Sequence, residues 1–287
     1  NRVEKSGSLL DTLQTVTTAE EVEKLIEDQE LEWEPLGGRE NNVGIVRTGS
    51  SPSQALAERM TNGIDAVLER AVAEGKISSD CSSPREAVRK LYGLGMDGYQ
   101  NLSSSEVRQK AEETMTVRMM EGSDDTHLTI ETDDEGIGQK PEDFPETFLS
   151  LNKDGKITKP YLIGKYGQGG SNTFDFCEYA LILSRASEGG DLGWSIVRFN
   201  ERLGEEDEYK DGVFEYCTRP DGSIPRVPER MVSNWSGSTV RLVDYEAANF
   251  NNSLSPSRKS LYTVANRAMF GSLFPFILED TRHEVFD

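Results

Sequence analysis

One segment limits the folds open to this chain more than any other: Gln54-Ala-Leu-Ala-Glu58-Arg-Met-Thr-Asn62-Gly-Ile-Asp65-Ala66-Val-Leu-Glu69. Leu56, Met60, Ile64, Val67 and Ala71 recur at helical spacing, so the segment is a helix whose apolar stripe needs another layer to cover it. Ser51-Pro52 opens that helix, with proline at the first helical position where its missing N–H costs nothing, and Gly75 ends it. The covering layer comes later in the chain. Strand-like runs at 115–120 and 127–132, joined by the turn-prone Gly122-Ser-Asp-Asp125, are followed by runs at 179–185, 194–199, 213–217 and 238–243. Helices come early and strands late and adjacent. The expected fold class is therefore α+β: a two-layer α/β sandwich with a mixed, mostly antiparallel sheet covered by helices.

The rest of the chain fits around that frame. Thr18-Ala-Glu-Glu21 is a capping box ahead of a helix that runs to about Glu27. Residues 31–42 read as loop and Val43-Gly-Ile-Val-Arg47 as a short strand. Two short helices are expected within 76–112, an acidic hairpin connection at 201–211 and a closing helix at 257–273. The domain boundaries follow: an N-terminal helical segment at 1–30, a main domain at 31–255 with a helical insertion at 76–112, and a closing helix within 256–287 that could begin a further domain.

Composition narrows the chemistry. Lys and Arg number 31 against 51 Asp and Glu, a net charge of −20, which opposes direct binding to a nucleic-acid backbone. With His127 and His283 as the only histidines, a His-centred triad or a two-His metal site is not expected. Cys81, Cys177 and Cys217 form no Cys-x-x-Cys pair, which fits a reduced, cytoplasmic setting. No apolar run is long enough to span a membrane, and the first residues, Asn1-Arg-Val-Glu-Lys5, carry no apolar signal-peptide stretch.

Chemistry must then come from carboxylates, amides and backbone. Glu58, Asn62, Asp65 and Glu69 form a second, polar stripe on the same helix. It is either a solvated face, or a carboxylate and an amide set one turn apart to hold a hydrated cation and activate a water. Gly63 beside Asn62 costs about 1 kcal/mol inside a helix and leaves room for a close approach. Asp133-Asp134-Glu-Gly136-Ile137-Gly138 ends a strand: an ordinary turn, or a place where a flat ring lies on backbone while Asp accepts from an exocyclic amine such as that of adenine. Gly164-Lys165-Tyr166-Gly167-Gln168-Gly169-Gly170-Ser171 is glycine-dense, as a surface loop or a phosphate cradle would be, and matches neither a P-loop nor a Rossmann fingerprint. Thr239 stands near the start of a clear strand.

Together, in this order, these stretches resemble the GHKL ATPases, the superfamily of gyrase-type topoisomerases, heat-shock chaperones, MutL and MORC proteins and histidine kinases. The resemblance covers roughly residues 43–244. It rests on Glu58-x-x-x-Asn62-x-x-Asp65-Ala66, on Asp134-x-Gly136-x-Gly138, on Gly164-x-x-Gly167-x-Gly169 and on Gly237-x-Thr239. It implies the Bergerat nucleotide fold, with ATP and Mg²⁺ as ligands. By resemblance Glu58 would be general base, Asn62 would bind Mg²⁺, and Asp134 would accept from the adenine amine with help from Thr239. Asp65, Ala66 and Ile137 would border the nucleotide, the segment from Gly164 to Ser171 would wrap its phosphates, and Lys153 would match a lid lysine within a closing segment at 150–170.

About 70 residues separate the first motif from the second, longer than in compact members, so 76–112 reads as an insertion. Several of these groups draw a catalytic Lys or Arg from a following domain. The resemblance therefore implies the amino-terminal ATPase module of a larger protein, slow alone, with ATP-dependent homodimerisation and partner domains beyond Asp287, in a stress or phage-defence setting. Two alternatives stay open: a serine- or histidine-type protein kinase of the same superfamily, and a nucleotide-sensing switch that does not hydrolyse.

Overall fold

The computed structural model describes residues 2–95, 97–151, 159–164, 170–201, 212–233, 235–252, 258–268 and 274–282. Helices α1 (Arg2–Thr15) and α2 (Ala19–Asp28) precede a short strand β1 (Glu32–Pro35), the one-turn helix α3 (Val43–Val46) and the long helix α4 (Pro52–Ala73). Helices α5 (Pro84–Tyr92) and α6 (Ser104–Glu112) lie between α4 and the sheet strands that follow. The hairpin β2 (Met115–Asp124) and β3 (His127–Asp134) follows, then β4 (Tyr179–Arg185), β5 (Leu192–Asn200), β6 (Val213–Thr218), β7 (Arg226–Val227), β8 (Gly237–Glu246), helix α7 (Leu261–Ala268) and β9 (Ile277–Asp280).

The sheet runs β1-β6-β5-β4-β8-β3-β2-β9, with β7 beside β5, and its pairs are antiparallel except β2 with β9. The expected α+β class, with helices over a mixed and mostly antiparallel sheet, is what the chain forms. Leu56, Met60, Ile64 and Leu68 of α4 are fully buried in one cluster with Val117, Ile130, Ile182 and Leu242 of the sheet. A second cluster lies on the opposite face, where Leu13, Val22 and Leu25 of α1 and α2 meet Leu181, Leu183, Trp194 and Ile196. Strand β4 thus serves two cores by alternation, which explains why Tyr-Ala-Leu-Ile-Leu is apolar throughout.

Polar contacts moor the back layer. Arg241 of β8, 4% exposed, donates to the carbonyls of Leu13 (3.1 Å), Gln14 (3.0 Å) and Val16 (2.5 Å) and pairs with Glu131. It therefore satisfies orphan carbonyls at the C-terminal end of α1. The capping box of α2 is present: Thr18 Oγ1 accepts from the Glu21 amide (3.3 Å), and the Glu21 carboxylate accepts from the Thr18 amide (3.1 Å). Replacing Thr18 with Ala is expected to cost about 1 kcal/mol and lower the melting temperature by about 2–4 °C, measured by calorimetry. An unchanged melting temperature would mean that packing alone holds α2.

Four local expectations change. Residues 43–46 are helical rather than a strand, because the buried Asn42 side chain takes up the sheet-edge bonding itself: it donates to the carbonyls of Leu36 (3.1 Å) and Phe214 (2.7 Å) and accepts from the Phe214 amide (2.9 Å). Residues 32–35, read as loop, form the edge strand β1, with Trp33 beneath the guanidinium of Arg198 at 3.7 Å. The β2–β3 turn lies later than expected, after Asp124, whose Oδ1 accepts from the amides of Thr126 (2.6 Å) and His127 (2.9 Å). Gly122 belongs instead to a bulge, where a Cβ would come within 2.1 Å of the His127 carbonyl oxygen. The closing helix is described from Leu261 to Ala268, shorter than expected at its start; 269–273 and the acidic connection 202–211 lie outside the described residues. Among the described residues no helix is long and apolar enough to cross a membrane.

Candidate active site

A cleft of about 360 Å³ opens between α4, the ends of β3 and β8, and the short segments 146–150 and 170–171. Its position follows from glycines that let three elements close up. At Gly63 a Cβ would stand 2.8 Å from Met115 Sδ and 3.3 Å from Asp134 Cβ, so the helix-interior glycine admits the end of β3. Its propensity cost is retained for that approach. At Gly136 a Cβ would lie 2.4 Å from Ala66 Cβ, and the next amide, of Ile137, donates to the Ala66 carbonyl at 3.0 Å. Gly138 has φ +61°, and a Cβ there would meet the Arg185 carbonyl oxygen at 1.9 Å. The acidic turn is therefore clamped to α4 on one side and to β4 on the other.

Asp134 is half-buried and lines this cleft. Burial pushes its carboxyl up to about 8; the hydrogen bond from the Gly136 amide (2.9 Å) opposes that rise, and the neighbouring charges of Asp133 and Glu135 add to it. Asn62 and Ala66 line the same cleft from α4, and Gly170 and Ser171 face them across it. A Cβ at Gly170 would fall 3.1 Å from Asn62 Nδ2.

Glu58 is exposed one turn before Asn62 on α4, beside the cleft and not on its lining, and its Oε2 accepts from Asn172 Nδ2 at 3.3 Å. Asp65, 1% exposed, accepts from the amides of Ile163 (2.7 Å) and Gly164 (3.0 Å), so it anchors the start of the glycine-dense segment and does not face the cleft lining. Thr239 is not on the cleft lining. Its hydroxyl donates to Asp133 Oδ1 at 2.8 Å, whereas the cleft is lined by its neighbours Ser238 and Val240. The register explains this: Asp134 pairs with Ser238 and Asp133 with Thr239, and side chains alternate across a strand. Lys153, Lys165, Tyr166, Gly167, Gln168 and Gly169 lie outside the described residues.

Two features escaped the sequence reading. Arg59 is buried beside Glu58, donates to the Gly170 carbonyl and to Thr173 Oγ1 (3.0 Å), and lies over the Phe174 ring at 5.4 Å. Burial lowers its guanidinium to about 10. The signal was its helical spacing from Leu56 and Gly63, on the covered side of α4. Lys159 pairs with Glu69 at the cleft wall, a contact between remote segments that no local pattern announces. No protein-family model matches this chain, and a search of curated proteins returns no match.

Proposed function

We propose that this chain binds ATP with Mg²⁺ and hydrolyses it, as the ATPase module of a larger protein. The observation that carries the reading is the meeting in one cleft of a half-buried carboxyl, Asp134, with the amide of Asn62 and the backbone at Gly138 and Gly170. The ionised carboxylate suits a ligand with an exocyclic amine, and in that form it repels a purine that presents a carbonyl there. Gly138 and Gly170 line the cleft on opposite sides, where a flat base and an anion would meet backbone.

In this reading Asp134 accepts a hydrogen bond from the adenine amine, and the Ser238 side of β8 closes the base site. Asn62 would hold Mg²⁺ through its one hard side-chain oxygen, a donor suited to a cation that binds few protein ligands. Bound Mg²⁺ would neutralise charge on the phosphates. Glu58 receives a proton from the water whose oxygen bonds to the γ-phosphorus as the bond to ADP breaks. Ser238 replaces Thr239 as the β8 residue that faces the nucleotide. Coupling to further domains and ATP-dependent dimerisation belong to the proposal through the GHKL resemblance alone.

Titration calorimetry with a nonhydrolysable ATP analogue and Mg²⁺ tests it. Saturable binding is expected, with the matching GTP analogue roughly 100-fold weaker or worse, because a site built to accept from an amine leaves Asp134 facing an acceptor. Equal affinity for the two purines would remove Asp134 from base recognition. No binding of either would end the ATPase reading.

A further inference from the structure

We propose that Asn172 is a positioning residue for hydrolysis, which holds the Glu58 carboxylate in the direction it needs to take a proton; the inference rests on the ATPase reading above. Glu58 is an exposed side chain on α4 with three side-chain torsions to fix. Asn172 supplies a fixed donor at 3.3 Å, long for a charge-assisted bond and able to tighten when a ligand closes the site.

The mount of that donor is rigid. Asn172 lies in the short 3₁₀ turn Ser171–Phe176 and is 6% exposed. On either side of it, Arg59 grips the Gly170 carbonyl and the Thr173 hydroxyl. Glu58 and Arg59 are consecutive in α4, so one helical turn both receives the amide and fixes the turn that carries it.

Packing alone gives no reason for an asparagine here. Its Oδ1 is buried with no hydrogen-bond partner among the described residues, a cost that a leucine of similar size would avoid. Costs of this sort are retained where a side chain serves a site. Here the amide half that does bond points at the carboxylate proposed to accept the proton.

The test compares Asn172→Ala and the volume-conserving Asn172→Leu in the full chain with Mg²⁺ and ATP. Both are expected to lower single-turnover phosphate release about 10- to 30-fold, with affinity for a nonhydrolysable analogue within about 2-fold, since misorientation is felt in the chemical step. Retained binding also certifies the fold. In a Glu58→Ala background, adding Asn172→Ala should change the residual rate less than about 2-fold, because a residue that acts through Glu58 has nothing left to orient. Wild-type turnover in both variants overturns this inference while leaving the ATPase reading intact, and so does a loss that persists undiminished without Glu58. A wild-type chain that binds the analogue but releases no phosphate removes hydrolysis, and this inference with it.

Discussion

Glu58→Ala is expected to lower phosphate release by roughly two to three orders of magnitude while affinity for a nonhydrolysable ATP analogue stays within about 2-fold. The separation follows from where Glu58 stands. It is exposed on α4, outside the core cluster, so truncation opens no cavity and leaves no buried charge unpaired. Its hydrogen bond joins it to Asn172 and to none of the groups proposed to hold base or phosphate. Removing a proton acceptor acts on the transition state, and groups that bind ground and transition states alike are untouched. Single-turnover phosphate release and analogue calorimetry on the same preparation measure both quantities. Normal turnover would show that another group takes the proton. A parallel loss of binding would show that Glu58 holds nucleotide.

Asp134→Asn should weaken analogue binding by about 100-fold or more and, in the unliganded protein, raise stability at alkaline pH. The first effect arises because Asn offers an amide where the adenine amine requires an acceptor with full charge. The second is a linkage effect. Burial raises the folded-state carboxyl to about 8, whereas an unfolded Asp titrates near its ordinary value of 3.8. Between those values the folded chain keeps a proton that the unfolded chain has released. The stabilising contribution of Asp134 is thus complete at about pH 4 and is lost as the pH rises through about 8. The Asn variant escapes that loss, so its melting temperature should exceed wild type at pH 8.5 and the gap should close towards pH 5. Ligand binding needs the ionised form, so in wild type it should release a proton below pH 8, detectable as a binding enthalpy that depends on the buffer. A gap that does not change with pH would mean that Asp134 is ionised in the folded state throughout.

Much of this architecture is legible in local pattern. The apolar stripe of α4, the capping box at Thr18 and the strand runs from 179 to 243 report the sheet and its main helix layer, because each element is encoded by its own periodicity. What failed was set by remote partners. Residues 43–46 turn into a helix because the Asn42 side chain is occupied by Phe214, and 32–35 pair with β6 at an edge where four residues give too short an alternation to read. In the candidate site, the closeness of Gly63 to Asp134 was foreshadowed by the cost of a helix-interior glycine. That Thr239 turns its hydroxyl to Asp133 and away from the cleft is set by the register of β8 against β3, which no local pattern shows. Arg59 and Asn172 were passed over because a charged residue on a buried stripe and a lone asparagine carry no motif.

The guanidinium of Arg241, wedged among the final carbonyls of the first helix, sets a practical limit on trimming. The amino-terminal thirty residues look dispensable in a linear map, yet they roof Leu181, Leu183, Trp194 and Ile196. Cutting them away would bare a greasy strip and strand a cation beside Glu131 with its backbone acceptors gone, inviting self-association at a distance from the nucleotide chemistry. A trimmed piece of this protein has to keep Leu13, Gln14 and Val16 if that guanidinium is to keep its acceptors.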